Sequence, residues 1–193
     1  MRGFSGAILA AGLALVAAAS QAAPPLAEAT GNWAGPAGGG FYFRATLEAE
    51  ADRARLRIWN GTDTVPQGGE PQLDVADFAL TAFATDVRLE VESNGDGSIL
   101  QVVVEFADEE AEGRDVVQLQ YLDFQYTIVG YYHLSRFGIA GETRECEVDA
   151  RNGRITEDGI SRALPPTDFE AMNASAWHFG AAFDRGWCQR IGG

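Results

Sequence analysis

Val87-Arg88-Leu89-Glu90-Val91-Glu92-Ser93-Asn94-Gly95-Asp96-Gly97 opens a pattern that Leu100, Val102, Val104 and Phe106 complete. Apolar and polar residues alternate with a period of two on both sides of a short polar break. That is the signature of half-buried strands whose successive side chains point to opposite faces. The Asn-Gly-Asp-Gly run supplies residues that tolerate positive φ, as a tight hairpin turn requires. Antiparallel pairing is therefore the local rule from which the rest of the chain is read.

Upstream, Phe41, Phe43, Ala45, Leu47 and Ala49 fall on one face, with Tyr42, Arg44, Thr46, Glu48 and Glu50 on the other. Ala54, Leu56 and Ile58 then alternate with Arg53, Arg55, Arg57 and Trp59. Folded about Ala51 and Asp52, the acidic outer face of the first strand meets the arginine face of the second. Each such cross-strand pair contributes about 0.2–1 kcal/mol, so the arginine cluster reads as structural rather than as an anion site. Leu73 to Phe83 reads as a strand whose alternation slips near Asp77, by a bulge or a short helix.

Downstream, an acidic break from Ala107 to Gly113 leads into a long run, Val116 to Leu134. Phe124, Tyr126, Ile128, Gly130, Tyr132 and Leu134 are expected to share its inner face, Gly130 marking a bulge or bend. Arg144 to Ala150 alternates again with Cys146 on the face of Val148, and Asn152-Gly153 reads as another tight turn. Seven or eight strands with short turns predict a mainly β fold, either an antiparallel barrel or a two-sheet sandwich.

The tail changes period. Thr167 reads as an N-cap with Glu170 three residues on. Phe169, Met172, Ala176, Phe179 and Phe183 then recur at spacings of three and four, which predicts a C-terminal helix. Gly180 weakens that helix, and a final irregular strand is the alternative.

The N-terminus carries Arg2, an uncharged apolar run from Gly6 to Ala19, and Ser20-Gln21-Ala22 as a small-x-small site before Pro24 and Pro25. This is the build of a cleaved signal peptide, residues 1–22, with Ala23 as the alternative cleavage position. The run is too short to span a bilayer, and no later segment reaches roughly 18 apolar residues. The expected organisation is a signal peptide at 1–22, a flexible lead at 23–40 and one β-rich domain at 41–193. The expected location is exported, periplasmic or extracellular, with no membrane insertion after cleavage. In that setting Cys146 and Cys188, the only cysteines, read as one disulfide. A metal or redox pair is disfavoured by their wide spacing.

The formal charge is −14, and loss of Arg2 with the leader makes it −15. All 14 basic residues are arginines. This field argues against nucleic acid and anionic membranes as partners, and the missing lysine excludes Schiff bases, P-loops and Ser-Lys dyads. His133 and His178 are the only histidines. His133 is expected on the polar face with Gln125 and Thr127, and no serine stands in a Gly-x-Ser-x-Gly elbow. Asp108, Glu109, Glu110 and Glu112 form the densest acidic run, a candidate calcium site because hard cations take clustered oxygens. Glu92 to Gly97 half-matches an EF-hand loop but places Val103 where the bidentate acid belongs. Asn60-Gly61-Thr62 and Asn173-Ala174-Ser175 match the glycosylation pattern.

Gly31-Asn32-Trp33 resembles the Gly-x-Trp signature that starts the barrel of lipocalins. Mature length, an eight-strand count, a C-terminal helix and one late disulfide are similar to that family too, and the resemblance implies a ligand-holding barrel. The family's Thr-Asp-Tyr turn is matched only by Thr167-Asp168-Phe169, which lies too late in the chain, so no ligand-binding residues are carried over. The chain is expected to be a non-enzymatic binding protein with no cofactor, its partner a small apolar ligand. The alternative is a cell-envelope interaction or inhibitor protein that docks a basic protein through its acidic surface. An enzyme would need two acids or His178 to converge in a cleft.

Overall fold

The computed structural model describes residues 23–35, 38–94, 97–138, 141–165 and 172–189. The expected leader at 1–22, the centre of the Asn-Gly-Asp-Gly turn (95 and 96) and the expected helix start at 166–170 lie outside the described residues.

Alternation translates into strands throughout. β1 (Ala27–Asn32), β2 (Tyr42–Glu50), β3 (Arg53–Gly61) and β4 (Leu73–Leu80) form one antiparallel sheet in that order. The second sheet is a seven-strand meander: β5 (Ala84–Asn94), β6 (Gly97–Ala107), β7 (Ala111–Leu122), β8 (Gln125–Phe137), β9 (Glu142–Asp149), β10 (Arg154–Glu157) and β11 (Ile160–Ala163). No closed barrel forms among the described residues, and β1 lies against β5 where the two sheets meet. The disulfide Cys146–Cys188 is formed.

The hairpin registers match the expected pairing. Val87 faces Val104, Leu89 faces Val102 and Val91 faces Leu100. In the first sheet Glu48 faces Arg55 and Glu50 faces Arg53. The ion pairs themselves run diagonally, Arg57 to Glu48 at 2.8 Å and Arg55 to Glu50, and Asp74 of β4 bridges Arg55 and Arg57. These side chains are about one-third exposed, so each pair is worth under about 1 kcal/mol. The inner faces share one core, with Phe43, Leu47, Leu56 and Ile58 from the first sheet and Leu100, Leu119, Ile128 and Ile155 from the second.

Two expectations are corrected. The lead at 23–40 contains β1, whose Gly31 lies under the Phe43 ring; a Cβ there would stand 2.6 Å from it. The expected C-terminal helix is not continuous. A 3₁₀ turn at Ala174–Ala176 gives way to extended backbone at Trp177, and α1 spans only Ala181–Asp184 after Gly180 at φ +83. A short isolated helix is marginal in water, and here sheet contacts outcompete it. Asn173 bridges Thr127 of β8, and the Phe179 N–H donates to the Asp77 carbonyl at 2.7 Å. That carbonyl belongs to the β4 slip, where Asp77 sits at φ +54 and the β3–β4 register shifts, so the irregularity is a bulge.

The segment 172–189 closes the side between β4 and the second sheet. Trp177 packs between Phe78 and Tyr131, and Trp187 is fully buried. Arg162 donates to the Gly186 and Trp187 carbonyls at 2.7 and 2.8 Å, next to Cys188.

Candidate functional site

The site begins with a fault in β8. Gln118 of β7 pairs with Gly130, but Leu119 pairs with Ile128, so Val129 is an extra residue. Gly130 leaves room there for Gln118, whose side-chain oxygen would lie 2.3 Å from an added Cβ and would have to swing aside. The extra residue reverses the parity of the strand from that point on. Tyr126 and Ile128 face the core, as expected. After the bulge Tyr131, His133 and Ser135 take the inner face, and Tyr132 and Leu134 move outward. Tyr132 donates its hydroxyl to Glu145 at 3.0 Å. Phe124, expected inside, is 91% exposed at the β7–β8 turn.

His133 therefore leaves the expected polar face and meets Asp115, its partner across β7–β8. His133 Nδ1 is 2.8 Å from Asp115 Oδ1, and the Tyr131 hydroxyl donates to the same oxygen at 2.8 Å. His133 Nε2 is 3.2 Å from Ser135 Oγ. An ionised carboxylate only accepts, so Nδ1 carries the proton of the neutral ring and Nε2 accepts from Ser135. Burial, reinforced by the Asp115 charge, pushes the Tyr131 hydroxyl well above the usual tyrosine range, so it remains a donor.

This line has the order of a nucleophile relay. It lacks the setting of one: Ser135 is 1% exposed, and β8 is paired there with Gly113 on one side and Arg144 on the other. The flanking backbone N–H groups are thus committed to ladders rather than aimed at an oxyanion.

A cleft opens over these groups, between β6–β8 and the segment 172–189. One part, about 360 Å³, is lined by Phe106, Phe137, Phe179 and Phe183 with His133, Ser135 and Gln189. An adjoining part of about 270 Å³ shares Phe106, His133, Phe179 and Phe183 and adds Leu80, Phe83, Asp108 and Asp115. Phe183 meets His133 edge to face at 5.1 Å, and Phe106 stacks on it at 6.1 Å. Phe106 lies over Gly113, where a Cβ would stand 2.5 Å from its ring and 2.1 Å from the Leu134 carbonyl. By contrast, the space between Phe78, Val102, Val117 and Trp177 amounts to about 20 Å³, room for a single water at most.

The other sequence candidates do not converge. Asp108 Oδ1 accepts the Glu110 and Ala111 N–H groups and closes the β6–β7 turn; Glu112 lies 3.7 Å from Arg136. Together with Glu109 they give no metal site: among the described residues no three His, Cys, Asp or Glu side chains are placed to hold an ion. His178 is half exposed, its Nδ1 4.0 Å from Asp184. The amide nitrogen of the Asn60 sequon donates to the Tyr126 hydroxyl, and the Asn173 side chain caps Ser175. Asp115 was the missed signal: it shares parity with Val117, Leu119 and Tyr121, and an acid in the inward phase of a strand calls for a partner.

No protein-family model, curated protein or solved structure matches the chain. In Gly31-Asn32-Trp33, which carries the lipocalin resemblance, Trp33 is a buried residue that donates to Asn60 at 3.0 Å.

Proposed function

We propose that the protein is an exported, non-enzymatic binding protein that holds a small molecule with an apolar body in the cleft over His133. The two sheets are read as a sandwich whose open side is closed by residues 172–189, with the ligand at that seam rather than between the sheets. The observation that carries the reading is the cleft itself: four phenylalanines around a few convergent polar groups, in the size range of small-molecule sites. The disulfide accords with a periplasmic or extracellular location.

The test is titration with the neutral fluorophore N-phenyl-1-naphthylamine. Saturable enhancement at one site per chain is expected, lost in Phe183→Asp with the near-UV circular dichroism retained. Enhancement that never saturates, or that Phe183→Asp leaves intact, refutes it. The alternative, a basic protein docked on the acidic surface, rests on the −14 charge. It requires capture of a partner that weakens steeply with salt.

A further inference from the structure

We propose that the cleft selects a cation: an organic ammonium with an apolar body, its nitrogen seated against Asp115 beside Phe106 and Phe183. This rests on the cleft being the ligand site and adds the class of ligand. The first ground is the pairing of charges. Arg44 is held by Glu28, Arg55 and Arg57 by Glu48, Glu50 and Asp74, and Arg144 by Asp158. Arg88 is shared by Asp86, Glu90 and Glu105. Among the described residues, no arginine lies within ion-pair distance of Asp115. Both its hydrogen bonds, from Tyr131 and His133, fall on Oδ1, and Oδ2 accepts none among the described residues. The side chain is 21% exposed and its one basic partner among the described residues is His133 at 2.8 Å, so no permanently charged cation among them occupies the carboxylate.

The second ground is the wall. Aromatic faces are negative at the ring centre and attract ammonium groups, more strongly where water is excluded. Among the described residues, the charged side chains lining the two parts of the cleft are Asp108 and Asp115, with no arginine beside them. Arg53 does lie 4.7 Å over the Phe179 ring, so that ring is left out of the assignment. The net charge of the chain enriches cations near its surface as well. A fatty acid or other anionic amphiphile would bring its head group against Asp115 and is selected against.

The experiment compares benzyltrimethylammonium, benzyl alcohol and benzenesulfonate by NMR titration of the oxidised, ¹⁵N-labelled protein at low salt. The expected result is a shift series centred on Phe183 and His133, with the ammonium bound at least tenfold more tightly than the alcohol and the sulfonate more weakly than either. Asp115→Asn should abolish the preference, the ammonium then binding no more tightly than the alcohol. Equal affinities for ammonium and alcohol, or a preference that survives Asp115→Asn, overturn the inference but leave an apolar cleft. Failure of both ammonium and alcohol to bind overturns the binding reading itself. The wild-type ligand comparison decides the matter even if the variant does not fold.

Discussion

Removing the disulfide by the double substitution Cys146→Ala, Cys188→Ala tests whether the clasp and the sheets form one cooperative unit. The two cysteines are 42 residues apart, and the chain-entropy relation for a loop of that length gives about 4 kcal/mol. Both positions are buried, so alanine is preferred to serine, which would add an unpaired hydroxyl to the core. The clasp has other anchors. Each of the two buried tryptophans, Trp177 and Trp187, removes about 150–250 Å² from water, roughly 4–6 kcal/mol gross. The segment should therefore stay docked in the variant, and the loss should appear as global stability. For a chain of this size about 2–4 °C of melting temperature accompanies each kcal/mol, so a fall of roughly 8–16 °C is expected. Urea unfolding followed in parallel by tryptophan fluorescence and far-UV circular dichroism checks it. Coincident curves, both displaced, are required. Fluorescence changing well ahead of dichroism, or a midpoint shift worth less than about 1 kcal/mol, refutes the clasp as part of the core.

Tyr126 and Tyr131 are both raised, chiefly by burial. Ultraviolet titration should show these two, together with Tyr132, which burial raises as well, ionising later than free tyrosine. Because the folded values lie above the unfolded ones, stability falls as pH rises beyond ~10. Asp158 is held below the usual carboxylate range by the Glu145 backbone N–H and then by Arg144. The stability it contributes is present above ~4 and lost as pH falls through its lowered folded value; Asp158→Asn should flatten that limb in urea midpoints. Asp123 and Phe124 occupy the β7–β8 turn at φ +47 and +64, where glycine is favoured. Phe124→Gly should raise the urea midpoint by up to about 1 kcal/mol. Gly113→Ala should cost about 1–3 kcal/mol by overpacking and displace Phe106, read as a lost His133–Phe106 contact in NMR.

Much of the fold was legible because strand alternation and turn chemistry are local. The β5–β6 pairing needed only the parity of Val87 to Phe106 and the glycines of its turn. The β2–β3 register could be read from charge, since one alignment sets Glu48 and Glu50 against arginines. β1 was harder to read: its inward face, Ala27, Ala29 and Gly31, is made of small residues that give a weak alternation signal, and β2 supplies the edge on which it pairs, with Phe43 over Gly31. The tail was misread for a related reason. Its three- and four-residue spacings are real, but the buried side chains track the contour of the seam, Met172, Ala174, Trp177, Ala181 and Trp187, and no helix repeat produces that order.

The site depends on a single inserted residue, which explains why strand parity alone placed its parts on opposite faces. With regular alternation through Val116 to Leu134, Tyr126 and Ile128 face inward and His133 faces out, away from Asp115. The bulge at Val129 exchanges those faces halfway along β8. One end of the strand can then serve the core while the other presents a histidine and a serine to the seam. The sequence carries the mark of this at Gly130 and again at Asp115, an acid in an otherwise apolar inward series. Neither residue is informative alone. Taken together they require His133 to turn inward, because a carboxylate facing the core needs a donor from the neighbouring strand. Restoring regular alternation by deleting Val129 should therefore turn Tyr131, His133 and Ser135 away from the inner face and leave Asp115 without either of its donors, Tyr131 and His133. That variant would separate a bulge kept for the site from one the sheet merely tolerates.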